Sequence, residues 1–112
     1  MITFSLAYVV LSVSLLLPLY ASATAVGGGR WNFATHYYAT VAGGEWNTAS
    51  HIAASVSGGK LNTVTGSYAV ISGGNSNYAA GTGTVIAGGE NNFALLSGST
   101  VGGGTTNTNN GL

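Results

Sequence analysis

An all-β, single-domain β-solenoid, a β-roll of six fifteen-residue coils behind an N-terminal signal peptide, is the fold class this sequence predicts. Three observations carry that expectation. The line Val/Ile-x-Gly-Gly-x-x-Asn returns every fifteen residues, headed by Val26, Val41, Val56, Ile71, Ile86 and Val101 and closed by Asn32, Asn47, Asn62, Asn77, Asn92 and Asn107. Between those lines small apolar and polar residues alternate with period two, the mark of a strand with one side buried. Glycine is abundant, with nineteen in 112 residues, whereas proline occurs once and cysteine not at all. A fixed short period with one apolar residue, one glycine turn and one amide per copy describes coils stacked one on the next.

The first element is the leader, residues 1–25. Phe4 to Tyr20 is an apolar run interrupted by Ser12, Ser14 and Pro18, and it ends in the small residues Ala21-Ser-Ala-Thr-Ala25. An apolar core followed by A-x-A has the form of a secretory signal peptide, with cleavage expected after Ala23 or Ala25. An uncleaved membrane anchor is the competing reading, favoured by the missing Lys or Arg before the core and opposed by a length near the minimum for spanning. In both readings the repeats lie outside the cytoplasm, so the protein is expected to be secreted and, once the leader is removed, free of the membrane. The solenoid domain then occupies residues 26–112.

Within each coil two short strands are expected. In the third copy they are Asn62-Thr-Val-Thr65 and Tyr68-Ala-Val-Ile-Ser72, separated by Gly66 and followed by Gly73-Gly74. The inward set is the leading Val/Ile, the column Ala34, Ala49, Val64, Ala79, Ala94 and the column Ala39, Ala54, Ala69, Thr84, Ser99. A core of such small side chains buries little apolar area, so hydrogen bonds from coil to coil must carry much of the stability. Glycine is expected to supply the positive-φ turns, with Asn tolerating them too. The asparagine column reads as a hydrogen-bonded structural ladder.

All four charges fall in one column, Arg30, Glu45, Lys60, Asn75, Glu90, with a formal net charge of zero. That column reads as a solvated turn ladder with weak cross-rung pairs. No basic footprint speaks for nucleic acid. His36 and His51 sit one rung apart, but their column continues as Gly66, Gly81 and Leu96, too few donors for a metal site. The chain has no Asp, which removes the ligands of calcium-binding glycine repeats and the acid of a serine triad. The glycine pairs lack the Lys and helix start of a phosphate loop, and no Asn stands two places before Ser or Thr as a glycosylation acceptor. No enzyme activity, metal or cofactor is expected.

Function is then expected in a repeated surface. One face consists of the outward residues beside the leading Val or Ile: Thr40 and Ala42, Ser55 and Ser57, Val70 and Ser72, Val85 and Ala87, Thr100 and Gly102. Every one is small, and a plane of short hydroxyls and methyls repeating at about 4.8 Å suits a repeating ligand. An ice surface is such a ligand. The second face is rougher, with Phe33 and Thr35, Thr48 and Ser50, Thr63 and Thr65, Tyr78 and Ala80, Phe93 and Leu95. Thr35, Thr48, Ser50, Thr63 and Thr65 are its candidate contacts, and rings interrupt the plane.

Two resemblances rest on these residues. Asn62-Thr-Val-Thr-Gly66 and Val70-Ile-Ser-Gly-Gly-Asn-Ser-Asn77 resemble the N-x-V-x-G-x-x-N repeats of the grass ice-recrystallisation-inhibition proteins, small secreted β-rolls of similar coil length. That resemblance implies ice binding by a monomer, through a flat face of short residues beside inward Val. The same register is similar to the head repeats of trimeric autotransporter adhesins, with their x-A-x-G and V-x-x-G elements, which implies a trimeric cell-surface module. The doubled glycine of every coil, and Ala where the grass repeats mostly carry Val, set this chain apart.

Rings form a third feature. Trp31 and Trp46 are successive rungs with Leu61 next, and Tyr37, Tyr38 and Tyr68 lie on neighbouring columns. Exposed ring stripes stack on sugar faces or seat a partner subunit; the structural alternative is that they blunt the open first coil. The polar run from Thr105 to Leu112 is expected to cap the other end.

Overall fold

The computed structural model describes residues 23–110; most of the expected leader lies outside them. Twelve strands of two residues each follow one another from β1 (Ala25–Val26) to β12 (Thr108–Asn109), with no helix among the described residues. They form two six-stranded sheets, one of β1, β3 (Thr40–Val41), β5 (Ser55–Val56), β7 (Val70–Ile71), β9 (Val85–Ile86) and β11 (Thr100–Val101), the other of β2 (Phe33–Ala34), β4 (Thr48–Ala49), β6 (Thr63–Val64), β8 (Tyr78–Ala79), β10 (Phe93–Ala94) and β12. Every pairing is parallel and in a fifteen-residue register, such as Thr40↔Ser55, Ser55↔Val70 and Thr63↔Tyr78. One coil therefore contributes one strand to each sheet. A third ladder runs along the edge between them, as bridges Arg30↔Glu45, Glu45↔Lys60, Lys60↔Asn75, Asn75↔Glu90 and Glu90↔Thr105. This is the predicted β-solenoid.

The strands are shorter than the alternation predicted. Thr63–Val64 and Val70–Ile71 stand where stretches of four and five residues were expected. The flanks are spent on corners: Tyr68 turns left-handed at φ 59°, and Gly66 lies where an added Cβ would meet the Gly81 carbonyl oxygen at 2.1 Å. Gly66 is thus needed for the close approach of the next coil, since its φ is not in the left-handed region.

The core is the pair of inward faces. Val41, Val56, Ile71 and Ile86 from one sheet meet Ala34, Ala49, Val64, Ala79 and Ala94 from the other, all fully buried, with Ala39, Ala54 and Ala69 beside them. Those columns are as the alternation predicts. The last column continues as Thr84 and Ser99 and begins as Thr24, and the buried hydroxyls of these three have no hydrogen-bond partner among the described residues. At the C-terminal end Asn109 takes the place in the inward column that Ala94 holds one coil earlier. Its Nδ2 donates to the Thr100 carbonyl at 2.8 Å, joining the two sheets across the end of the core.

The asparagine column is the second interior element. Asn47 Nδ2 donates to the Gly43 carbonyl of its own coil (3.1 Å) and to the Gly59 carbonyl of the next (2.8 Å), while Asn47 Oδ1 accepts the backbone N–H of Asn62 (3.0 Å). The same set recurs at Asn32, Asn62, Asn77 and Asn92, all buried. One side chain so satisfies a carbonyl and an N–H that the corner would otherwise leave unpaired, and adds a second bond to a carbonyl of the next coil that already accepts a backbone N–H, as that of Gly59 does from Glu45.

The positive-φ positions differ from expectation. The ladder asparagines stay outside the left-handed region, and so does the first glycine of the pair in coils two to five. It is the second glycine that needs it: Gly59 has φ 89°, and a Cβ there would lie 2.2 Å from the Gly74 carbonyl oxygen. The other left-handed corners fall mostly on larger residues, in the column Trp31, Trp46, Leu61, Ser76, Asn91, Thr106 and the column Tyr38, Ala53, Tyr68, Gly83, Gly98.

Candidate functional site

A parallel strand sends alternate residues to opposite sides, so each two-residue strand with its neighbours holds one residue in and two out. On the first sheet the outward positions are the ones expected. Thr40, Ser55, Val70, Val85 and Thr100 pair in series as one rank. Ala42, Ser57, Ser72, Ala87 and Gly102 are two residues further on, all exposed, and form a second rank. Successive rungs are about 4.8 Å apart and the two ranks about 6.6 Å apart, the rise of two extended residues. The hydroxyls of Thr40, Ser55, Ser57, Ser72 and Thr100 make no hydrogen bond to the protein among the described residues, so all five remain free for an external partner. One further rung was not legible: Ala25 pairs with Thr40, so Ala25 and Gly27 extend both ranks. The fifteen-residue register points to it, but Ala25 also reads as the end of the leader. Cleavage after Ala23 leaves this strand whole.

The second sheet gathers Thr35, Thr48, Ser50, Thr63 and Thr65 on its outer side, again as expected, between Phe33 at one end and Tyr78 and Phe93 at the other. Two of its hydroxyls are engaged internally: Ser50 Oγ donates to the Val64 carbonyl (3.3 Å) and Thr65 Oγ1 to Tyr78 Oη (3.3 Å). The Tyr78 and Phe93 rings are tilted against each other with centroids 6.4 Å apart and stand above the strands.

Along the glycine edge, Glu45 sits between Arg30 and Lys60. It is ion-paired with Arg30, and Lys60 Nζ lies 3.5 Å from Glu45 Oε1. The hydrogen bond from Arg30 holds the Glu45 carboxyl below the usual carboxylate range. The carboxylate is exposed, so this pair is a weak contributor to stability. Its contribution is present at neutral pH and is lost as the pH falls through the lowered pKa. Outside that column the Trp31 and Trp46 rings stack at 5.3 Å with 14° between their planes.

The turn edge carries His36 and His51, with ring centroids 5.3 Å apart, and His51 Nδ1 lies 3.0 Å from Ser67 Oγ. Among the described residues no third His, Cys, Asp or Glu joins them to make a metal-sized group. Here also stand Tyr37, Tyr38 and Tyr68.

Fold and surface together define a class: a parallel β-solenoid with one outer face of short side chains in two ranks, one rougher face, and two edges that carry rings in the first three coils. No protein-family model matches the chain, and no curated protein or solved structure matches it either.

Proposed function

We propose that the chain is a secreted, non-enzymatic binding protein whose ligand is the surface of ice, engaged through the outer side of the first sheet. The observation that carries this reading is the pair of ranks, Thr40 to Thr100 and Ala42 to Gly102, whose hydroxyls have no internal partner. A crystal surface offers no pocket-shaped group to grip, only a lattice, so many weak contacts must fall in step. A backbone ladder fixes that step. The side chains suit the task because Ala has no rotamer entropy to lose and Thr and Val have stiff χ1 angles, so little order has to be created on contact. Short hydroxyls donate to and accept from lattice water, and the methyls between them fill its hollows. No cofactor, metal or nucleic acid enters this reading, and one copy of the chain suffices.

Ice-recrystallisation inhibition and thermal hysteresis test it, with the mass in solution recorded alongside. Thr40→Tyr and Ser57→Tyr place a ring on the ranks. Each is expected to raise the concentration needed for inhibition by about tenfold or more, the weight of ~1.4 kcal/mol of adhesion, while the circular dichroism spectrum is unchanged. Thr63→Tyr, on the rougher face, should leave activity as it was. Loss with Thr63→Tyr alone would move the site to the second sheet. An inactive trimer would reject ice binding in favour of a cell-surface module of the adhesin-head type.

A further inference from the structure

The turn edge carries a second surface, separate from the ranks. In every coil the turn closes with a backbone hydrogen bond, from Ala39 N to the His36 carbonyl (2.9 Å) in the first case and from Ala69 N to that of Gly66 (3.2 Å) in the third. Its third residue is left-handed: Tyr38 at φ 60°, Ala53 at 53°, Tyr68 at 59°, Gly83 at 69° and Gly98 at 76°. Successive turns are tied in register by Ala53 N to the Tyr37 carbonyl, Tyr68 N to that of Ile52 and Gly83 N to that of Ser67, all between 2.8 and 2.9 Å. Coils four and five fill this position with Gly, the residue to which that conformation is open at no steric cost. Coils one and three instead carry a large aromatic side chain there, each at a cost of about 1–2 kcal/mol of backbone strain.

Burial does not explain this choice. Tyr38 is 62% exposed and Tyr68 64%, the most exposed of the large apolar residues. Neither ring is stacked on another among the described residues, in contrast to Trp31 and Trp46, which cover one another's faces. Strain held at an exposed ring is an observation that calls for a ligand. The two tyrosines share a column two rungs apart, about 9.6 Å, with only the Ala53 methyl between them. Hydrogen-bonding groups line the adjacent columns: His36, Tyr37, His51 and Ser67.

We propose that Tyr38 and Tyr68 form a binding site for an extended β-1,4-linked glycan lying along the turn edge, parallel to the stack. In such a chain each hexose advances by about one rung and the same sugar face returns at every second unit. Two rings on alternate rungs meet that repeat, and the methyl of Ala53 leaves room for the unit between them. Aromatic faces pack on the apolar faces of the sugars, and the imidazoles and hydroxyls beside them reach the equatorial hydroxyls.

The experiment uses the purified chain with microcrystalline cellulose and chitin in pull-downs, and with cellohexaose, chitohexaose and maltohexaose in titrations followed by the tyrosine ring resonances. One of the two β-linked polymers is expected to deplete the protein from solution, and its hexaose to shift the Tyr38 and Tyr68 signals; the curled α-linked maltohexaose should not. Tyr38→Gly and Tyr68→Gly each copy the residue of coils four and five. They are expected to weaken binding by about tenfold or more with an unchanged or raised Tm and unchanged activity on ice. Trp46→Ser, which copies Ser76 of the same column, should bind as the parent does. No binding to either β-linked glycan, equal binding of maltohexaose, or full binding by both Tyr→Gly variants would overturn the assignment. So would self-association that the same variants abolish, since the rings would then be seating a second copy.

Discussion

At the scale of single residues, the buried amides distinguish this fold from a stack of strands with loose corners. Asn62 donates to the Gly58 and Gly74 carbonyls and accepts from Asn77 N; the Gly74 carbonyl also accepts from Lys60 N, so Asn62→Ala leaves two backbone groups, the Gly58 carbonyl and the Asn77 N–H, without partners. At about 1–3 kcal/mol for each such group, a loss of about 2 kcal/mol or more is expected. Asn107 ends the series among the described residues: it donates to the Gly103 carbonyl and to Asn92 Oδ1, and no described coil lies beyond it to use its own oxygen. Asn107→Ala should therefore cost only about 1 kcal/mol. Urea unfolding of the two variants decides the matter, and equal midpoints would mean that the amides do not act as a ladder. The column itself was legible, because an amide that returns at the same place in every coil stacks on its own kind and can pair along the stack. Its carbonyl partners were not, since one of them lies twelve residues away in sequence on the neighbouring coil.

At the scale of the coil, the glycine pair divides into two unequal members. Gly59 is left-handed and faces the backbone of the next coil, whereas a Cβ on Gly58 would meet nothing within 4 Å. Gly59→Ala is expected to unfold the chain or lower its Tm steeply. Gly58→Ala should be neutral or stabilise by about 0.4–1 kcal/mol through the unfolded state. Thermal melts of the pair test this, and a Gly58→Ala variant as damaged as Gly59→Ala would contradict the coil geometry. Period-two alternation placed the strands between the first and last and both inward faces, because side-chain direction in a strand is a local property. It did not place the strand ends or the left-handed corners. A left-handed Trp46 or Tyr68 goes against local preference and is imposed by the coils above and below, which no single repeat encodes. The aromatic columns did hold one overlooked sign: Gly83 and Gly98 stand in register with Tyr38 and Tyr68.

For the whole molecule, each coil makes the same contacts with its neighbours, through two sheets, the amide ladder and the charged edge. A tandem copy of residues 56–70, inserted after residue 70, should then be accepted as a seventh rung. Its circular dichroism spectrum should match the parent, its Tm should be unchanged or higher, and its activity on ice should rise with the longer ranks. The same insertion short by one residue leaves the shortened coil out of register with its neighbours, reversing inward and outward sides at that junction, and should lower the Tm or prevent folding. If both insertions behave alike, the register is not what holds the stack. The candidate face was legible as two columns of small residues, because outward positions follow from inward ones. Its preference over the second sheet was not, since that rests on where the hydroxyls of Ser50 and Thr65 find partners. The uniform step also has a genetic meaning: a copying slip that gains or loses fifteen codons in frame yields another closed stack, so the reach of the ranks is open to inheritance in whole coils.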